Sequence, residues 1–289
     1  MEEQIKIMSN FIKRNLNIYR QDKIGLFFSL LGAFIGLIIY VFFLRNALIS
    51  GIPQFINREA FLDLWMIGGL IAIVALTSSV AGFSQYVQDL QNDSLIDFEI
   101  NGTLGNLAQI GYMITAFVES FLTTTIFTFI CIIYIRLQVS IDLESTIILK
   151  IMGINIISCL FGVCFSSLFF RILKTTSSFA SISAIVGTLS GFMSGSYILI
   201  SSLPKTFATF INYWPGFGTA SLYRQLLLKN LNNIGNNNIF NVIYNKYGVT
   251  QSLFGKNPSF DITTGYVFII SVLLGLFNLT FNYVFKDRK

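Results

Sequence analysis

The chain has no histidine, and charge is scarce: 19 Lys and Arg and 14 Asp and Glu make up 11% of its 289 residues. A soluble domain carries about 25% charged residues, so a fold with an ordinary solvated surface is excluded. Without imidazole, histidine-based catalysis and histidine metal sites are excluded as well. Cysteine is rare: Cys131, Cys159 and Cys164 all fall in apolar runs. There they read as small buried residues, not as disulfide or metal partners. No G-x-x-x-x-G-K-[ST] phosphate loop occurs, since FGKNPS around Lys256 lacks both the spacing and the hydroxyl. Gly216-Phe217-Gly218 lies in a region read as external and is no dinucleotide fingerprint. No paired acids or nucleophile–base motif stand at a membrane face. The chain is therefore expected not to be an enzyme and to hold no cofactor of its own.

Apolar sequence is what the chain has in abundance. It is 54% hydrophobic, with 30 phenylalanines, and its mean hydropathy is +0.69. Residues 24–44, IGLFFSLLGAFIGLIIYVFFL, run without a charge between Lys23 and Arg45. A helix rising 1.5 Å per residue over such a run covers about the 30 Å of a bilayer's hydrocarbon core. Five more apolar runs follow, near 64–88, 110–135, 147–170, 179–200 and 264–285. The expected fold is an all-α membrane protein with six transmembrane helices. An amphipathic interfacial helix precedes the first, and short re-entrant external helices precede the last. The expected parts are an interfacial helix over 1–23, spans one to five over 24–200, an external region over 201–263, and the last span with a basic tail over 264–289. The first apolar run is too long for a signal-peptide core, and no A-x-A-like site follows it.

Lysine and arginine set the orientation. With the N-terminus in the cytoplasm, the inner segments hold Lys6, Lys13, Arg14, Arg20, Lys23, Arg171, Lys174, Lys286, Arg288 and Lys289. The short outer loops hold only Arg45, Arg58, Arg136 and Lys150. A multi-pass protein of the cell membrane, with both termini in the cytoplasm, is thus expected. The net charge of +5 reads as this topology signal and not as a nucleic-acid footprint.

Several segments carry more information. Over residues 5–22, Ile5, Met8, Ile12, Leu16 and Tyr19 share one helical face, flanked by Lys6, Lys13 and Arg20. Such a helix is expected in the headgroup layer, touching membrane lipids. The loop over 89–109 contains no Lys or Arg, but it holds Asp89, Asp93, Asp97 and Glu99 among Leu90, Leu95, Ile96, Phe98 and Ile100. On one helix Asp89, Asp93 and Asp97 form a stripe, which fits a docking segment for a soluble cytoplasmic protein. In span five, Ser183, Gly187, Gly191 and Gly195 recur every fourth position. This small-residue stripe suits close helix packing, either within the chain or at a dimer interface or transport path. Glu119 is the one acid expected well inside a span, where it should face a protein partner or water. Pro204 and Pro215 divide 201–228 into pieces too short to span, and an Asn-rich patch follows at 232–241.

This pattern resembles a type-2 ABC transporter permease, the membrane subunit of drug, lipid and polysaccharide exporters. RNLNIYRQDKIGLFFSLLGAFIGLIIYVFFL resembles that family's interfacial helix and first span. QDLQNDSLIDFEINGTLGNLAQIGY resembles its loop between spans two and three. LPKTFATFINYWPGFGTASLYRQ, with Pro204, Trp214, Pro215 and Arg224, resembles its re-entrant external region. The resemblance implies a homodimer, or a heterodimer with a similar permease, and a separate ABC ATPase that binds ATP and Mg. It also implies that Asp93, Leu95, Ile96, Asp97, Phe98 and Glu99 belong to the helix coupling the permease to that ATPase. Lys6, Lys13, Arg14 and Arg20 would lie on the connecting helix. The implied function is export of a hydrophobic or amphiphilic substrate: a drug, antimicrobial peptide or lipid-like molecule. The alternative is an ion-coupled secondary transporter that uses Glu119.

Overall fold

The computed structural model describes residues 2–22, 34–50, 57–100, 105–139, 141, 143–171, 174–229, 231, 243–244 and 246–286. Among the described residues the chain is helical, with no strand. We number the helices α1 (Glu2–Gln21), α2 (Phe34–Ile49), α3 (Arg58–Ala81), α4 (Ser84–Gln91), α5 (Ser94–Ile100), α6 (Gly105–Tyr134), α7 (Ser145–Ser166), α8 (Thr176–Met193), α9 (Lys205–Tyr213), α10 (Pro215–Leu227) and α11 (Phe260–Lys286). Among the described residues, five helical stretches are long and apolar enough to cross a membrane: Arg58–Gln91, Leu107–Val139, Ser145–Phe169, Thr176–Met193 and Phe260–Thr280. Of the first expected span, residues 24–33 lie outside the described residues. Its remainder lies within α2, which passes through a π-helical turn over Tyr40–Leu44.

Helix α3 is the hub. Its most apolar stretch is 89% buried, and it packs against α6, α7, α8 and α10. A helix apolar on all sides is stable only when surrounded. The core runs from Phe61 to Val74 of α3, through Phe127 and Cys131 of α6 and Ile147 and Ile151 of α7, to Leu222 and Leu226 of α10. All three cysteines are buried and free.

Two expectations about element limits need correction. The run 179–200 does not stay helical: α8 ends at Met193. Gly195 stands at φ +66, the left-handed backbone that glycine adopts without a Cβ clash. Its N–H bonds to Phe192 O at 3.0 Å, and that of Ser196 bonds to Gly191 O at 3.2 Å, which terminates the helix as a Schellman motif. The second span begins before residue 64: α3 starts at Arg58, so Glu59 and Asp63 fall in its first two turns. Asp63 lies inside α3, buried, and Arg45 and Tyr40 of α2 bind it. Of the external region, Pro215 occupies the first turn of α10, where its missing N–H costs nothing. Helix α10 packs among α3, α7 and α11, whereas α9 exposes Phe207 and Phe210. The Asn-rich patch 232–241 lies outside the described residues.

Candidate functional site at residues 84–100

The chain turns between α3 and α4 at Gly82, where a Cβ would stand 2.7 Å from Ala116 Cα. This close approach seats the end of α3 on α6, and α4 then brings Asp89 to the Tyr112 hydroxyl of α6. Asp89 accepts four hydrogen bonds: from Arg14 Nη1 at 2.8 Å, Arg14 Nη2 at 2.9 Å, the Tyr112 hydroxyl at 2.5 Å and Gln85 Nε2 at 2.9 Å. The pairing with Arg14 is bidentate, the strongest form of the interaction. Hydrogen bonding to Asp89 raises the pKa of the Arg14 guanidinium above its ordinary value. That guanidinium also sits 4.9 Å from the centre of the Phe98 ring. Phe98 meets Phe11 edge to face at 5.2 Å, and Phe11 meets Tyr112 at 4.9 Å. One cluster therefore joins α1, α4, α5 and α6.

The expected acidic stripe does not form. Helix α4 stops at Gln91, and Asp93 takes a left-handed backbone at φ 58, so the helical register breaks between Asp89 and Asp97. Asp89 is buried at the Arg14 ion pair, while Asp93 and Asp97 are exposed. Helix α5 tucks Leu95 and Phe98 against the cluster and leaves Ile96 and Ile100 exposed at 56% and 77%. Glu99 lies in the same helix, and its side chain is outside the described residues.

Helix α1 is turned from the expected face. Its most buried residues are Phe11 and Asn15; Met8, Ile12, Leu16 and Tyr19 are half-buried, and Ile5 is exposed. The rotation follows from two contacts that periodicity does not encode: the Phe11 ring lies on Gly111, and Arg14 turns inward to Asp89. Tyr19 reaches the Thr123 hydroxyl at 2.9 Å. With Phe11 beside Tyr112, this sets α1 parallel to α6 and lengthwise against it. Lys6, Lys13 and Arg20 remain exposed.

The other expected residues lie elsewhere. Glu119 of α6 is 7% exposed and makes no hydrogen bond among the described residues. A hydroxyl-rich seam runs close by between α3, α6, α7 and α10. In it Ser78 meets Thr124 at 3.4 Å, Asn155 Nδ2 donates to Thr128 at 3.3 Å, and the Tyr223 hydroxyl donates to Asn155 Oδ1 at 2.7 Å. Single polar residues scattered through apolar runs gave no sign of it. In α8, Ser183 is half-buried, and a Cβ at Gly187 would meet nothing within 4 Å. Gly191 instead holds the Tyr197 ring of its own chain, 2.0 Å from where a Cβ would stand. The stripe thus divides: Gly191 and Gly195 serve the turn after α8, Gly187 borders open space, and Ser183 keeps its Oγ buried without a hydrogen bond among the described residues.

Pro204 precedes α9, and Trp214 joins it to α10, stacking edge to face on Phe161 at 5.3 Å. Arg224 is fully buried. It donates to Trp65 O at 3.2 Å, Gly248 O at 3.3 Å and Ser196 Oγ at 3.1 Å, and it covers the Trp65 ring at 4.7 Å. The sequence signal for its neighbourhood was the Gly68-Gly69 pair, which lets α10 approach α3. Comparison of the chain with family models, curated proteins and solved structures finds no match.

Proposed function

We propose that the chain is the membrane permease subunit of an ABC exporter, driven by a separate ATPase that binds ATP and Mg. In this reading it has six spans and two cytoplasmic termini in the cell membrane. It pairs with a second permease and moves a hydrophobic or amphiphilic substrate outward. The observation that carries the reading is α5. This short helix projects Ile96, Asp97 and Ile100 outward while Leu95 and Phe98 fasten it to α1 and α6. Apolar side chains exposed beside acids, at an end of two candidate spans, suit a soluble protein partner better than a lipid surface. A push on α5 would pass through Phe98, Arg14 and Asp89 into α1, α4 and α6.

The test is co-expression with an ABC ATPase encoded beside this chain, followed by affinity recovery of the complex. Substituting Ile96 and Ile100 by Asp should reduce ATPase recovery about tenfold or more while leaving the chain in the membrane, because each buried aliphatic side chain is worth about 1.5–3 kcal/mol. Undiminished recovery removes α5 from the contact. A second reading, ion-coupled transport, is favoured by Glu119, which is buried and makes no hydrogen bond among the described residues. Uptake driven by a pH gradient without ATP, and lost in Glu119→Gln, would select it.

A further inference from the structure

At the opposite end of the bundle a cavity of about 400 Å³ opens between the end of α2, the start of α3 and the turn after α6. This size falls within the roughly 300–1,000 Å³ of small-ligand sites. Its charges are unevenly committed. Arg45 Nε and Nη2 bind the two carboxylate oxygens of Asp63 at 2.9 and 3.0 Å, and Nη2 also reaches Glu59 at 3.0 Å. Asp63 is further satisfied by the Tyr40 hydroxyl at 2.6 Å. Arg58, by contrast, lines the cavity without an ion pair or hydrogen bond from its guanidinium among the described residues. Asn57 and Gln138, both able to donate, also line it.

The chain around the cavity places it at a membrane surface. Phe42 and Phe43 stand just before Arg45 in α2, and Leu137 stands just before Gln138. All three are more than 70% exposed. Exposed aromatic and aliphatic side chains passing within a few residues to arginines mark the level where acyl chains give way to headgroups. A guanidinium with open donors and neighbouring amides suits a phosphate oxygen. The exposed Glu59 carboxylate beside it disfavours a second negative charge. A phosphodiester, with one charge, therefore fits better than a phosphate dianion.

We propose that this cavity binds the phosphodiester of a phospholipid headgroup, with Arg58 as the cationic partner and Asn57 and Gln138 as neutral donors. The proposal needs only that this end of the bundle meets a bilayer surface, so it stands apart from the ATPase reading. It is tested on the full chain in detergent by titrating dihexanoyl-phosphatidylglycerol and, separately, inorganic phosphate, with bound lipid read by native mass spectrometry. Arg58→Glu should weaken lipid binding about tenfold or more, the weight of a charge-assisted hydrogen bond. Arg58→Gln, which keeps the side-chain bulk, should show the same direction and serves if the glutamate variant does not fold. Lys150→Glu removes an exposed cation near the same end but outside the cavity, and it should leave binding unchanged. Equal binding by wild type and both Arg58 variants overturns the site. An equal loss in Lys150→Glu reduces it to general surface attraction and also overturns it. Displacement of the lipid by an equal concentration of inorganic phosphate keeps an oxyanion site but overturns the lipid as its occupant.

Discussion

Arg224 meets no carboxylate among the described residues. A buried charge of this kind persists only where dipoles surround it. Here two backbone carbonyls, a serine hydroxyl and an indole face do so. The arrangement requires α10 to lie almost on the backbone of α3. A Cβ at Gly69 would fall 1.9 Å from Ser196 Oγ and 2.8 Å from Arg224 Nη2. Gly153 of α7 offers the contrast: it is exposed, and a Cβ there would meet nothing within 4 Å. The same substitution should therefore act with opposite signs. Gly69→Ala should destabilise the protein by about 1–3 kcal/mol, the usual cost of overfilling a packed site. Gly153→Ala should stabilise it by about 0.5–1 kcal/mol, because alanine gives up less backbone freedom in a helix. Thermal unfolding in detergent, followed by intrinsic fluorescence, checks both. A fall of similar size in the two variants would contradict the packing described at Gly69.

Among the elements, α1, α4, α5 and α6 depend on one ion pair. The Asp89 side chain is 4% exposed and that of Arg14 is 35% exposed. The carboxylate is thus the member that suffers when the pair is broken. Arg14→Ala leaves Asp89 with only Tyr112 and Gln85, whereas Asp89→Ala returns Arg14 toward water. A double-mutant cycle should give a coupling of about 1–2 kcal/mol, with Asp89 carrying most of the context dependence. Limited proteolysis should cut α1 sooner in either single variant; additive unfolding midpoints would show that the pair does not join the elements. This cluster also shows what the sequence could and could not disclose. The long apolar runs announced the helices that became α3, α6, α7 and α11, because a helix hidden from water on all sides needs a continuous apolar stretch. The amphipathic pattern of 5–22 announced α1 as well. Its buried face was not legible, because that face is centred on Phe11 and Asn15 and set by Gly111 and Asp89, residues about 75 to 100 positions away. The acidic stripe failed for a local reason. Asp93 breaks the helix with a left-handed backbone that aspartate tolerates, and no glycine or proline marks the place.

At the scale of the whole molecule, helices α8 and α11 are the least covered. Their most apolar stretches are 17% and 28% buried, against 89% for α3. Ile185, Leu189 and Phe192 of α8 and Phe268, Leu273 and Phe277 of α11 are exposed. In a membrane, lipid or a second protein covers such faces, and area alone does not choose between them, since lipid tails are as apolar as leucine. Shape discriminates. Gly187 leaves a shallow gap on α8 that nothing among the described residues fills within 4 Å of a Cβ, and a second helix gains dispersion contacts by approaching there. Under the proposed permease dimer, Gly187→Phe should not lower the monomer's unfolding midpoint, because a Cβ there meets open space and the helix loses a glycine. It should lower the dimer fraction in lipid bilayers about tenfold, because the ring holds the two backbones apart. Gly191→Phe should behave differently. It would strike Tyr197 in its own chain, and its loss of stability should come before any change in assembly. Single-molecule photobleaching in vesicles at a low protein-to-lipid ratio separates the two effects. An unchanged dimer fraction in Gly187→Phe would assign this face to lipid and place the subunit contact elsewhere, with the exposed side of α11 as the next face to substitute.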